Sequence, residues 1–569
     1  MAEENQEVDG LTRLKIEAAV EEYEINLRQR LDEISQRKRI EQKKSTLREE
    51  LIRVELEDLK RPSSEIRAEE HSLVNWTLWL SLSISVVVVA LSLVFSSKVA
   101  GVSASISQFM ATNLSWFYVL LSSGFLIFLA YLAFSRYGSV VLGDPDERPQ
   151  FSNFSWYSML FSAGMGVGIL FWGTAEPITH FVHPPNQTAS SIAAAREAMT
   201  LSAFHWGFHA WGIYAVCAVG VAYYGFRKRK KYLISSSIMD VSQNRTVRQG
   251  LKISVDLIAT LAIIFGVAAS LGLGLLQIAG GTDHVFGIAL DGKLGYLAIV
   301  AIIATLYIGS SSTGLERGIK FLSNLNMVVA LLLLVFVFLA GPKLFNLKLF
   351  VDSIGRYLQA LPALSFKVDP FHESYETWMR DWTLTYFSWW IAWSPFVGIF
   401  IARISRGRTI RELILGSLII PALFCLLWFS VFGGTALHSE VFGAGGIATA
   451  VEADVTSSLF VFLDTLPLSQ ITSVISLALL FTFLVTSADS ATYVISMMTS
   501  EGDLDPSQRM KITWGLVLAS LAYLLVIGGG IGALQAASLI FAFPFSLVLI
   551  LIAFSLRFRL SVQVRGKRL

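Results

Sequence analysis

Charge is what this chain has least of. Asp, Glu, Lys and Arg make up 15% of its 569 residues, where a soluble globular domain carries about 25%. With 54% hydrophobic residues and a mean hydropathy of +0.58, it holds more apolar side chain than a water-facing fold can bury. A net charge of +2 offers no basic surface for nucleic acid. Cysteine is nearly missing. The two present, Cys217 and Cys425, fall inside apolar runs, which argues against a disulfide framework, a cysteine-metal cluster or a catalytic thiol. No short cleavable leader is expected, because the first hydrophobic run starts only near Val74 and is long enough to cross a bilayer.

What is abundant comes in blocks. Crossing a hydrocarbon core of ~30 Å takes about 20 apolar residues, and twelve such spans are expected: 74–95, 114–134, 154–173, 201–224, 255–280, 294–309, 322–339, 382–404, 413–432, 471–498, 512–527 and 535–556. The expected fold is all-α and membrane-integral. The domain expectation is a charged cytoplasmic extension over 1–71, a transmembrane transporter domain over 72–558 and a short basic cytoplasmic tail over 559–569. Within the extension, Leu27/Leu31/Ile34 and Ile52/Leu56/Leu59 have helical spacing, with Pro62 ending the run, too short a pattern for a coiled coil. Between spans 7 and 8, Phe350, Ile354, Tyr357, Leu358 and Leu361 form one helical stripe, which predicts a helix lying on the membrane surface.

Loop charges give an orientation. Arg227 to Lys231 with Arg245, Arg248 and Lys252 follow span 4. Arg403, Arg406, Arg408 and Arg411 follow span 8, and Arg559, Arg565, Lys567 and Arg568 close the chain. All three groups fall on one side, which puts both termini in the cytoplasm. The long loop 341–380, with Lys343, Lys348, Arg356, Lys367 and Arg380, runs against the rule and is outweighed by the others.

Span 3 reads Ser162-Ala163-Gly164-Met165-Gly166-Val167-Gly168. Each glycine costs a helix ~1 kcal/mol against alanine. Alternate spacing does not place the glycines on one packing face, as a small-xxx-small motif would. An unwound segment whose backbone faces a ligand explains the motif better. The second signal is aromatic: Trp206, Trp211 and Tyr214 in span 4, and Trp382, Trp389, Trp390 and Trp393 in span 8. Single tryptophans usually mark the membrane interface. Trp211/Tyr214 and Trp390/Trp393 are i, i+3 pairs that present two rings on one face. Trp206 stands about 140° off that face at ~100° per residue and would form another wall or pack elsewhere. Aromatic faces attract a cation that has no hydrogen-bond donors. With no carboxylate in view, such a box suits a trimethylammonium group better than a metal or a sugar.

Three polar features carry less. Asp489 in span 10 is balanced between a structural and a functional role. Glu176, followed by Pro177, reads as a polar helix end. His205 and His209 have zinc-compatible i, i+4 spacing but no evident third ligand, so a packed polar pair is expected. No charged pore ring suggests a channel, and no catalytic constellation suggests an enzyme. A membrane-embedded sensor that binds without transporting is the rival of a different class.

The stretches Gly164-Met165-Gly166-Val167-Gly168, Trp389-Trp390-Ile391-Ala392-Trp393-Ser394-Pro395-Phe396, Ala402-Arg403-Ile404-Ser405-Arg406-Gly407-Arg408 and Thr486-Ser487-Ala488-Asp489-Ser490 resemble signatures of the betaine/carnitine/choline transporter family. The resemblance covers all twelve spans. It implies a five-plus-five inverted repeat, spans 3–7 and 8–12 behind two extra helices, and a homotrimer in the lipid of the inner (plasma) membrane. It implies an aromatic box of Trp206, Trp211, Tyr214 and Trp390, with Trp389 and Trp393 on the transport path. Gly164, Met165, Gly166 and Gly168 are the substrate-facing backbone. In this family the last position of the glycine motif tends to be Gly in betaine carriers and Asp in choline carriers. Gly168 therefore favours glycine betaine or a similar zwitterion, with choline, carnitine and ectoine carriers or an exchanger as alternatives.

The resemblance also implies sodium as coupling ion and no other cofactor. The sodium site would use the backbones of Ser162, Met165, Phe483 and Leu484 and the side chain of Ser487. The resemblance implies Thr486 and Phe396 for a second sodium site, but that site in the family also uses two span-5 threonines, and Ile263 and Val267 stand there and cannot ligate, which counts against it. Sodium-independent members replace the ion with a basic side chain in span 5, and no Lys or Arg lies between Lys252 and Lys293. Sodium symport with a reduced ion count is the expectation.

Overall fold

In a bilayer every backbone N–H and C=O needs an internal partner, and a helix supplies one residue by residue. The computed structural model describes residues 35, 36, 42, 75–164, 166–238, 244–312 and 316–566. Among them the regular structure is helical, apart from one isolated antiparallel bridge between Val141 and Thr409. The helically spaced residues of the N-terminal extension, from Leu27 to Ile34 and from Ile52 to Leu59, lie outside the described residues, as do Met165, Lys567 and Arg568. Asn75–Leu569 form one unit, distinct from Met1–Val74.

Seventeen α-helices of that unit are used below. They are α1 (Trp76–Val94), α2 (Ser96–Phe134), α3 (Asn153–Gly164), α4 (Val167–Val182), α5 (Ile192–Trp206), α6 (Phe208–Ala222), α7 (Arg245–Phe286), α8 (Lys293–Ser312) and α9 (Glu316–Ala340). Then come α10 (Lys343–Leu364), α11 (Glu373–Met379), α12 (Thr385–Ile404), α13 (Ile410–Phe442), α14 (Ile447–Ala453), α15 (Ser458–Asp464), α16 (Ser469–Met498) and α17 (Gln508–Gly566). Nine helical segments among the described residues are long and apolar enough to cross a membrane. Spans 154–173 and 201–224 are not among them as single rods, because each is broken in the middle. The loop expected between 527 and 535 is instead a kink inside α17 at Gly530, whose φ of 56° and ψ of −139° leave the helical region. Only glycine takes that conformation without strain.

The surface is inverted relative to a soluble protein. On α1, Thr77, Ser81 and Ser85 are buried, while Trp79, Val87, Leu93 and Val94 are exposed. Apolar outside and polar inside suits a lipid solvent and no aqueous one. Inside, α12 packs against α6 and α7, α13 against α4, and α7 along α17.

The stripe at 350–361 forms α10, which packs on α13 and α5. It is narrower than expected. Phe350, Ile354 and Leu361 are partly covered and Tyr357 is buried, but Leu358 is half exposed. Two of the basic loops meet on one face. Arg227 donates to the Gly143 carbonyl at 2.8 Å, Arg229 pairs with Asp144 at 3.2 Å, and Arg406 pairs with Glu147 at 2.5 Å. Arg408 donates to the Asn153 side chain and the Phe151 carbonyl.

Candidate functional site

Two helix breaks frame the site. The first is at Met165–Gly166, between α3 and α4. Gly166 is extended, with φ −116° and ψ −156°, and caps α4 with backbone alone. The second is at Gly207, between α5 and α6, with φ −90° and ψ −138°. There the freed N–H of Phe208 donates to the Tyr357 hydroxyl of α10 at 2.7 Å. A Cβ on Gly207 would collide with that hydroxyl, so glycine here makes room for the group that satisfies the break.

A cavity of about 30 Å³ opens on the first break. It is lined by Gly166, Val167, Gly168 and Ile169, by Trp206, Tyr214, Trp389, Trp390 and Trp393, and by Ser270, Leu484 and Ser487, among others. Its rings form two walls nearly at right angles. Trp389 and Trp390 lie close to parallel, 5.0 Å apart at 10°, and Tyr386, which lines a larger adjoining cavity, extends their stack at 5.8 Å and 23° from Trp390. Trp206 stands across them, 5.0 Å from Trp390 at 71° and 6.3 Å from Trp389 at 81°. Tyr214 is 6.1 Å from Trp390 at 80°. The floor is Gly168, whose Cβ would lie 3.0 Å from both the Trp206 and the Trp389 ring edges.

The indole N–H groups are tied back behind the walls. Trp389 donates to Ser270 at 2.8 Å, Trp393 to the Gly266 carbonyl at 3.1 Å and Trp390 to the His205 carbonyl at 2.9 Å. A ring whose polar edge is already bonded offers its π-face to the cavity. A larger cavity of about 170 Å³ adjoins, lined by Trp172, Asp381, Trp382, Tyr386 and Gln535 among others, and it shares Leu273 and Trp389 with the first.

Several expectations change here. Trp206 and Trp211 do not follow one helical phase, because the break at Gly207 resets it. Trp206 becomes a wall of the cage, while Trp211 stands behind, edge-on to Tyr214 at 5.7 Å. Glu176 is no polar helix end. It is fully buried and accepts from Trp206 Nε1 at 2.8 Å, from the Tyr386 hydroxyl at 2.5 Å and from His205 Nδ1 at 2.7 Å. The box therefore does have a carboxylate beside it.

His205 and His209, expected as a packed polar pair, take separate partners. His209 Nε2 meets Ser123 and Ser365 at 3.3 and 3.2 Å. His205 instead joins Glu176 and His180, with one ligand-type atom from each within 4.8 Å of the others. The two members that sequence spacing could not supply, Glu176 and His180, both come from α4. Glu176 already receives three hydrogen bonds, so the cluster is a hydrogen-bonded hub. Asp489 is buried on α16.

The comparison with known proteins follows the same lines. The model of the BCCT, betaine/carnitine/choline family transporters matches residues 76–564. The chain belongs to this family. Its function is transport rather than catalysis. The glycine betaine transporter OpuD of Bacillus subtilis is 41% identical over 493 residues, 86% of this chain and 95% of that one. An ectoine/hydroxyectoine transporter of Virgibacillus pantothenticus is 41% identical over 496 residues, 86% of this chain and 97% of that one. A probable glycine betaine transporter of Desulfitobacterium hafniense is 38% identical over 485 residues, 85% and 96%.

For this family member the sodium candidates are placed as follows. Leu484 and Ser487 line the inner cavity, and a Cβ on Gly166 would stand 3.6 Å from Ser487 Oγ. Phe483 is buried next to them on α16. Ser162 lies in the last turn of α3, and its side chain, like Met165, is outside the described residues. The Thr486 hydroxyl donates to the Thr482 and Phe483 carbonyls at 3.1 Å and faces Asn326 at 3.5 Å. Phe396 packs edge-on to Trp393 at 5.6 Å. Of the residues missed by sequence reasoning, Tyr386 carried a signal: with Trp382 and Trp390 it completes an i, i+4 ladder of rings. Ser270 carried none.

Proposed function

We propose that this protein imports glycine betaine, or a closely similar zwitterion, by sodium symport. The observation that carries the reading is the right-angled cage of Trp206, Trp389, Trp390 and Tyr214 facing the helix break at Gly166. A desolvated quaternary ammonium against such faces is worth ~2 kcal/mol or more. The other end of a zwitterion needs donors, and the first turn of α4 presents backbone N–H groups and the positive end of a helix dipole at the same cavity. A volume of about 30 Å³ holds only a water or two, so the rings part to admit solute, and Trp389, common to both cavities, is the partition.

In this reading the broken helices α3/α4 and α5/α6 are spans 3 and 4, and the two arms of α17 are spans 11 and 12. The total is then twelve, in a five-plus-five repeat behind two helices. The protein works as a homotrimer in the plasma membrane with both termini cytoplasmic, and Ser487 contributes to a sodium site beside the glycine break. Ectoine is the second reading, favoured by the equal identity of the ectoine/hydroxyectoine transporter. Its delocalised ring cation also suits aromatic faces.

Radiolabelled glycine betaine uptake into proteoliposomes, with and without an inward sodium gradient, tests both halves. Concentrative, sodium-dependent uptake is expected. Uptake indifferent to sodium removes the symport, and uptake of ectoine with none of betaine removes the substrate.

A further inference from the structure

The group that organises the cage is not one of its rings. Glu176 lies in α4, nine residues beyond the helix start at Val167, about 14 Å along the axis at 1.5 Å per residue. One of its carboxylate oxygens, Oε2, accepts both the Trp206 indole N–H at 2.8 Å and the Tyr386 hydroxyl at 2.5 Å. These two rings belong to the two perpendicular walls, 5.7 Å apart at 67°. The other oxygen, Oε1, takes His205 Nδ1 at 2.7 Å, with His180 Nε2 at 3.4 Å. His205 in turn accepts from Trp390 through its carbonyl and meets Thr383 through Nε2 at 3.1 Å. Both sets of rings, from α5 and α12, thus converge on one buried carboxylate of α4.

We propose that Glu176 is the positioning residue and the counter-charge of the cage: it holds Trp206 and Tyr386 at right angles and selects a cationic headgroup over a neutral one. A buried carboxylate with no lysine or arginine among these partners keeps its field, and the low local dielectric extends that field through the rings. Donating an N–H or O–H to an anion also enriches the ring face that meets the cation. The site is then polarised along α4, with the positive helix start facing the solute's anionic end and the carboxylate behind the cage facing its cationic end.

The proposal rests on the cage being the headgroup site. The test measures Kd by tryptophan fluorescence on the purified intact protein for two probes: glycine betaine and its neutral-headed carbon isostere, 3,3-dimethylbutanoate. The wild-type protein is expected to prefer betaine. Wild-type protein that binds no betaine refutes the cage reading itself. Glu176→Gln keeps an acceptor and removes the charge, so betaine Kd is expected to rise about tenfold or more and the preference over the isostere to shrink by the same factor. An unchanged betaine Kd, or an equal loss for both probes, overturns the counter-charge.

Glu176→Asp keeps the charge, so the preference persists, and its loss in that variant also overturns the idea. Tyr386→Phe removes one donor without touching the charge, and it reads the positioning role even if the glutamine variant does not fold. Both probes should weaken by the same factor with a shift in tryptophan emission, and no change in either overturns that role.

Discussion

Replacing Gly168 with alanine separates the function of the glycine motif from its cost. The new methyl would stand 3.0 Å from the ring edges of Trp206 and Trp389 at once, a few tenths of an ångström inside comfortable contact on both sides. Neither ring yields freely, because Trp206 is tied to Glu176 and Trp389 to Ser270. Overpacking of this kind costs about 1–3 kcal/mol, a factor of roughly 5 to 150 in affinity. The backbone raises no objection: position 168 lies inside α4, where alanine is better than glycine by ~1 kcal/mol. The expected outcome is a betaine KM raised about tenfold or more in proteoliposome uptake, with a Tm unchanged or slightly lower, because the helix gain only partly offsets the overpacking. Gly168→Asp adds a charge to the same steric change. At ~5 Å and an effective dielectric near 20, that charge attracts a bare cation by about 3 kcal/mol, while betaine's own carboxylate is repelled. Choline uptake should therefore emerge as betaine uptake falls. A wild-type betaine KM in the alanine variant would refute the argument that Gly168 is the floor of the cage.

Two further substitutions probe other parts. Ser487→Ala removes a hydroxyl beside Gly166. Losing one oxygen ligand to an ion is worth ~1.5–3 kcal/mol, so the sodium concentration for half-maximal uptake should rise about tenfold or more, and sodium titration of initial rates checks this. Tyr357→Phe leaves the Phe208 N–H at the second break without its acceptor. That costs about 1–3 kcal/mol, and with an unfolding entropy near 1 kcal/mol per degree for a unit of this size, Tm should fall about 1–3 °C in a thermal-shift assay.

The legible parts of the site were those whose geometry is local. The glycine run announced a break because alternate glycines have no packing role in a continuous helix. Trp389, Trp390 and Trp393 announced a ring face because they share one unbroken helix, α12, where spacing converts directly into direction. The misreadings all cross a discontinuity. Helical phase carried through Gly207 leaves Trp206 open between another wall and a place elsewhere, and the break at that glycine is what makes it a wall. Glu176 was taken for a helix end because Pro177 follows it, yet α4 runs on to Val182 through that proline.

The sequence by itself determined that the chain lives in lipid and which family's motifs it carries. Apolar length against a fixed hydrocarbon thickness is a local quantity, and so is a contiguous motif. Tertiary structure decided where the rings point and what stands behind them. The partners of Glu176 lie 29, 30 and 210 residues away along the chain. A buried carboxylate is tolerable only when donors surround it, and no local pattern records which distant helices bring them.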